Sequence, residues 1–208
     1  IRFLLTGSIG LPTIAEKIGA EKQISDLKII EIPPLRLEEA REFTVKLLDS
    51  AGISYKEKAI DYLLKKTEWL IPFHVQLLVQ ELIDEYEDTN ETVDKDAVDR
   101  AFAKITDIRN DIYFEHYFSR LKINLHGSEY YFSLAVLNEL TQKQELSASE
   151  VKELAEKHNL EDYLIVLRCL EFDGYIFSTQ RENEKIYRFT SPVLRLWWKK
   201  YVKMPLII

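Results

Sequence analysis

The sequence predicts a mainly α chain that opens with two strands of a parallel sheet, continues as a four-helix bundle and closes in a winged helix. Three observations carry that prediction. Residues 1–34 hold two largely apolar runs, each ending in turn chemistry; residues 35–108 hold four segments of helical period joined by short links; residues 109–208 give a leading helix and then three helices followed by two β-prone runs. Those three stretches are the expected domains.

Ile1 to Leu5 is an apolar run apart from Arg2 and ends in Thr6-Gly7-Ser8, and Lys28 to Ile32 is a second run, with Glu31 inside it, ending in Pro33-Pro34. Strands without polar alternation suit a parallel sheet covered on both faces. Between them, Pro12 to Ile18 predicts a short helix with proline at its start, where a missing N–H costs least. Because the chain opens directly on a strand without an initiating methionine, it is expected to be a piece of a longer protein. Residues 1–34 are then expected to pair with sequence outside these residues or with another copy of the chain.

From residue 35 the apolar period changes. Leu37 to Ser50 places Phe43, Leu47 and Leu48 on one face, with Glu38, Glu39 and Glu42 early, where they complement the helix dipole. Gly52 ends that helix. Ser54 is a candidate cap for the next, which carries Ala59, Ile60, Leu63 and Leu64. Thr67 to Pro72 breaks it. A long helix follows through Phe73, Leu77, Leu78, Leu82 and Ile83, and Thr92 or Asp94 caps a fourth with Ala97, Val98, Ala101 and Phe102.

The last stretch begins with a helix from about Asp111 to Leu121. Helices over Ser128–Leu140, Ser147–His158 and Leu160–Phe172 come next, the last stopped by Asp173-Gly174. Tyr175 to Thr179 and Ile186 to Thr190 are strands around a polar turn, Gln180 to Lys185. Ser191-Pro192 starts a closing helix, with a capping serine and proline at the first helical position. Three helices and then a hairpin describe a winged helix.

Composition sets outer bounds. Of 208 residues, 46% are hydrophobic and 30% charged, a globular balance. No apolar run is long enough to span a bilayer. Cys169, the single cysteine, lies in the apolar pattern Leu164, Leu167, Leu170 and reads as a buried structural thiol; with no disulfide framework the cytoplasm is the expected compartment. The net charge is −7, of which −6 precedes Ser128 and −1 follows. Neither part has the excess of cations that nucleic-acid binding requires.

Each motif has a plain structural reading beside its functional one. Thr6-Gly7-Ser8 follows a buried strand, where hydroxyls can meet a phosphate, yet the tripeptide is also ordinary turn chemistry. Pro72 in Thr67-to-Gln76 is pre-set for a helix start. His74, one turn into an apolar helix, alone is no ligand. The four histidines have no metal spacing with each other or with Cys169, so no metal site is expected. The acids from Glu85 to Asp88 read as a solvated helix end.

Taken in order, these pieces form a pattern. Buried strand with Thr6-Gly7-Ser8, second strand with Ile32-Pro33-Pro34-Leu35, helical bundle with Ile71-Pro72-Phe73 and Gln76, and a closing Ser191-Pro192 with Leu194-Arg195 and Trp197-Trp198 together resemble the archaeal and bacterial AAA-like ATPases of the STAND class, which are signal-transducing NTPases. The resemblance spans nearly the whole chain. It implies that 1–34 is the C-terminal remnant of the ATPase core, 35–108 the lid and 109–208 the winged-helix domain. It assigns γ-phosphate sensing to Thr6 or Ser8 and a contact near the nucleotide base to Pro72. The family's glycine before that proline is absent, Trp69, Leu70 and Ile71 standing there instead.

No GxxxxGK[ST] loop occurs, and no apolar strand ends in paired acids. Without them phosphoryl transfer has no platform. The expected function is therefore nucleotide sensing and regulation, not catalysis by this chain alone. ATP or ADP with Mg²⁺ is expected only in a full-length parent whose N-terminal core precedes Ile1. A protein partner for the winged helix is expected in preference to DNA, because Leu160–Phe172, in the recognition position, is flanked and lined by Glu161, Asp162, Glu171 and Asp173 against Arg168. A membrane partner is not expected. The alternatives are a winged-helix DNA-binding regulator and a helical protein-interaction scaffold.

Overall fold

The computed structural model describes residues 15, 18–28, 30 and 32–202. Nine α-helices and a small three-stranded antiparallel sheet make these residues mainly helical. In chain order the first helices are α1 (Leu37–Ser50), α2 (Glu57–Thr67), α3 (Pro72–Thr89) and α4 (Lys95–Lys104). Next come α5 (Asp111–Asn124), α6 (Ser128–Lys143), β1 (Glu145–Ser147), α7 (Ala148–Lys157) and α8 (Tyr163–Phe172). The chain continues through β2 (Ile176–Arg181), β3 (Glu184–Phe189) and α9 (Pro192–Tyr201). Among the described residues no helix is long and apolar enough to cross a membrane.

By contact the chain divides into two compact units. Among the described residues, 32–116 and 191–202 form a helical unit, and those before 31 together with 117–190 a sheet-bearing unit. The sequence division at 108/109 places the closing helix with residues 109–190; by contact α9 groups with α1–α4 instead.

In the helical unit, α1 buries Ala40, Thr44 and Leu48, a stripe four residues apart, while Phe43 and Leu47 are half-buried. A threonine fits that stripe because its hydroxyl donates to the Ala40 carbonyl at 2.8 Å, so the buried Thr44 hydroxyl is not left unpaired. At the start of α1 the Arg36 amide donates to the Glu39 carboxylate at 2.9 Å, and the Arg36 guanidinium pairs with the same carboxylate at 2.6 Å. Ser54 does not cap α2. It lies in a short extended bridge, where its carbonyl accepts from the Val93 amide at 2.8 Å while Lys56 donates to Val93 at 2.9 Å.

α2 buries Ala59, Ile60, Leu63 and Leu64, and α4 buries Ala97, Val98, Ala101 and Phe102, as their periods predict. Asp94 caps α4, accepting from the Asp96 and Ala97 amides. The expected solvated acids at the end of α3 need correction at Glu85, whose side chain is buried and accepts from Arg100 at 2.7 Å and Lys104 at 3.0 Å. Burial alone would push that carboxyl up, but the two cations overcome it and hold it below the ordinary glutamate range.

The sheet-bearing unit arranges its strands as β1-β3-β2, all antiparallel. Glu145 faces Arg188 across the first pair, and Ile176 faces Phe189 across the second. The hairpin turn is tighter than its polar run suggests: Glu182 and Asn183 alone make it, both at positive φ (48° and 70°). Two successive positive φ values match the twist of the flanking strands. Ser147 caps α7 through a capping box with Glu150. Phe132, Leu137 and Leu140 of α6, Val151 of α7 and Val166 and Leu170 of α8 form the core, and Tyr175 seals it, donating its hydroxyl to the Tyr117 carbonyl at 2.6 Å.

Ile1 to Leu5 lies outside the described residues. Of the expected second strand, Lys28, Ile30 and Ile32 are described and belong to no helix or strand, and Ile32 is 93% exposed. An apolar run forms a strand only against a neighbour, and none is found beside these three among the described residues.

Candidate functional site

The helical unit brings together two motifs singled out in the sequence, the head of α3 and the closing helix. Ile71 precedes α3 with extended backbone (φ −76°, ψ 141°), and Pro72 takes the first helical position, where no N–H is needed. The Ile71 carbonyl accepts from the His74 and Val75 amides. Pro72 and Phe73 are exposed, and the Phe73 ring meets Tyr113 edge-on with centroids 5.9 Å apart. The tip of α3 is therefore an apolar edge open to solvent.

One residue further on, the environment inverts. His74 is 1% exposed, and its Nδ1 lies 3.1 Å from Ser191 Oγ. Ser191 Oγ also accepts from the Leu194 amide at 3.3 Å, the cap of α9. His74 Nε2 is buried without a hydrogen-bond partner among the described residues. Burial pushes the imidazole down to about 4, and the neighbouring His116 lowers it further through like-charge repulsion. At neutral pH the ring is uncharged.

A serine hydroxyl beside an imidazole is half of a nucleophile–base pair. Here it cannot meet a substrate, because both side chains are buried and the hydroxyl already caps a helix. The pair is a clasp. It fixes the start of α9 to the first turn of α3 at a point 117 residues apart in sequence.

Aromatic packing extends the clasp. Phe114 lies 6.2 Å from His74 and stacks on Trp197 at 5.8 Å, with 27° between the ring planes. Trp197 Nε1 donates to Asp111 at 3.0 Å, and Trp198 packs edge-on to Trp197 while fully buried. Near the end of α9, Tyr201 and Lys200 both donate to the Thr106 carbonyl, at 2.8 and 2.6 Å. α9 is thus tied to its unit at both ends, with Trp197 and Trp198 buried between.

Of the residues the resemblance singled out, Pro72 is placed at the exposed tip of this clasped unit, while Thr6 and Ser8 lie outside the described residues. Cys169 is half-buried in α8, less enclosed than its apolar spacing suggests. Among the described residues no group of three or more His, Cys, Asp or Glu could hold a metal ion. His74, Phe114 and Asp111 were missed as members of the site. The signal for His74 was its position among Val75, Leu77 and Leu78 on an apolar helix; its partner is too distant in sequence for any local pattern to name. No protein-family model, curated protein or solved structure matches the chain.

Proposed function

We propose that the chain is the nucleotide-sensing, regulatory part of a STAND-type, AAA-like ATP-binding protein, made of a sensor strand, a helical lid and a winged helix, and that it has no catalysis of its own. The observation that carries this is the head of α3, where Pro72 stands exposed on a helix clasped to α9 by His74 and Ser191. A lid that reports nucleotide state needs a firm contact at its tip and a body that follows that contact. The exposed Pro72 and the ties between α3 and α9 support that reading. In this role Pro72 touches the base region, Thr6 or Ser8 senses the γ-phosphate, and ATP with Mg²⁺ is held by elements these residues do not contain.

The order helix, strand, helix, helix, strand, strand from α6 to β3, with β3 central, supports the winged helix. In the recognition position, α8 exposes Leu164 (52%) and Phe172 (48%), with Glu161 at its approach. Exposed apolar groups among acids suit a protein surface better than phosphates. A duplex titration followed by anisotropy at about 150 mM salt should accordingly give only weak, sequence-independent binding, with Kd above about 1 µM. Nanomolar, sequence-dependent affinity would move the protein to the DNA-regulator class.

The nucleotide role is tested in the complete natural protein by ADP affinity. Pro72→Ala removes two methylenes from the proposed base contact and should weaken ADP about tenfold. The 208-residue chain alone should show no magnesium-dependent ATP hydrolysis above a contaminant control. Unchanged ADP affinity in the Pro72 variant would remove the sensing role and leave a helical scaffold.

A further inference from the structure

A groove of about 560 Å³ on the helical unit is lined by Lys58, Asp61, Tyr62, Lys65, Lys66 and Lys95. Lys58, Tyr62, Lys65 and Lys66 share one face of α2 by their helical spacing, and Lys95 comes from the first position of α4. Four ammonium groups thus converge in a chain whose net charge is −7.

Among the described residues, ion pairs take up only one of the four ammonium groups. Asp61 pairs with Arg41 Nε at 3.3 Å. Asp99 pairs with Lys66 and accepts the Tyr62 hydroxyl at 2.8 Å. Lys58, Lys65 and Lys95 enter no ion pair among the described residues. Lys66 is held in place, with Nζ 4.7 Å from the Phe102 centroid and 5.5 Å from that of Tyr62. Lys95 Nζ is also 5.5 Å from the Tyr62 centroid, so these two cations stand at most twice that distance apart. Like charges gathered in a concavity raise the local potential and favour an anion there.

The chemistry of the donors narrows the anion. No arginine lines the groove, so the planar fork that grips carboxylates is missing; lysines act as point charges, which suits the oxygens of phosphate. The volume falls within the range of small-ligand sites. A nucleic-acid strand would continue past the lysines onto the acids beside them, Glu57 and Asp96 among them, and be repelled.

We infer that this groove is a binding site for a compact oligophosphate, held by Lys58, Lys65, Lys66 and Lys95. The groove is lined from α2 and the start of α4, whereas the nucleotide contact proposed at Pro72 belongs to α3. Its test is calorimetric titration of the full chain with inorganic tripolyphosphate at about 50 mM salt, where screening is modest. Saturable binding with sub-millimolar Kd is expected. The double substitution Lys58→Gln, Lys65→Gln, at two exposed residues, should weaken it about tenfold. A control pair on α7, Lys152→Gln with Lys157→Gln, should leave it unchanged. ATP and inositol hexakisphosphate distinguish the source of the phosphates. Equal affinity per phosphate assigns the site to phosphate alone, whereas ATP binding tenfold tighter than tripolyphosphate assigns it to a nucleotide. No saturable binding, an affinity indifferent to the Lys58 and Lys65 changes, or displacement of tripolyphosphate by a poly-glutamate peptide or a duplex at lower concentration would each overturn the inference.

Discussion

Replacing Trp198 by alanine should lower the unfolding free energy of the helical unit by about 3–5 kcal/mol, the usual cost of deleting a buried aromatic side chain. Trp198 is 0% exposed on α9 and packs edge-on to Trp197. Its removal leaves a cavity in a region tied down on several sides, by Ser191 at one end of the helix and by Tyr201 at the other, so collapse around the void is limited. Trp197 has a different task. Its indole N–H donates to half-buried Asp111 at 3.0 Å, and its ring stacks on Phe114. Trp197→Phe keeps most of the stack, loses one hydrogen bond that water can partly replace, and should cost about 1 kcal/mol. Urea unfolding of both variants measures the difference. If Trp198→Ala and the parent shared one midpoint, the aromatic core described here would not contribute to holding α9.

The measurement has a convenient reporter. All three tryptophans, Trp69, Trp197 and Trp198, belong to the helical unit by contact. Tryptophan emission therefore follows that unit, whereas far-ultraviolet circular dichroism sums the helices of both units. Two compact units need not unfold in one step, so a step seen in circular dichroism but not in emission would belong to the sheet-bearing unit.

Most of the helical unit was legible in the sequence, because its signals are local. Apolar spacing marks α2 and α4, Asp94 is a cap, and Ser191-Pro192 announces α9. Pro72 at the head of α3 was legible for the same reason. Elements that depend on a distant partner were not. β1 is three residues long with one buried apolar side chain, Leu146, and exists only because β3 pairs with it. Lys28 to Ile32 has the composition of a strand, yet its described residues take no ladder, since composition cannot supply a neighbour. The face of α1 turned on a threonine hydroxyl rather than on hydrophobicity, which placed Thr44 inside and left Phe43 half-covered. The His74–Ser191 clasp joins two motifs noticed separately, and only the fold relates them.

That clasp makes stability depend on pH in a defined window. Burial holds the His74 imidazole neutral down to about pH 4 in the folded chain, while an unfolded histidine takes up its proton near pH 6.5. Above that value the ring is neutral in both states and adds no pH dependence. Between the two values the unfolded state binds more protons, so stability falls as the pH falls. The loss reaches about 2 kcal/mol at pH 5 and about 3 kcal/mol at pH 4, below which both states are protonated and the change levels off. His74→Gln keeps a polar group toward Ser191 but does not titrate. The parent should therefore lose about 3 kcal/mol relative to this variant between pH 7 and pH 4, measured as the difference between their urea unfolding free energies at each pH. Carboxylates such as Glu85, which also lose their ion pairs in acid, are common to both proteins and cancel in that difference. A difference that stayed constant from pH 7 to pH 4 would mean that the His74 ring meets water in the folded chain, and the junction of α3 and α9 would then be open rather than clasped.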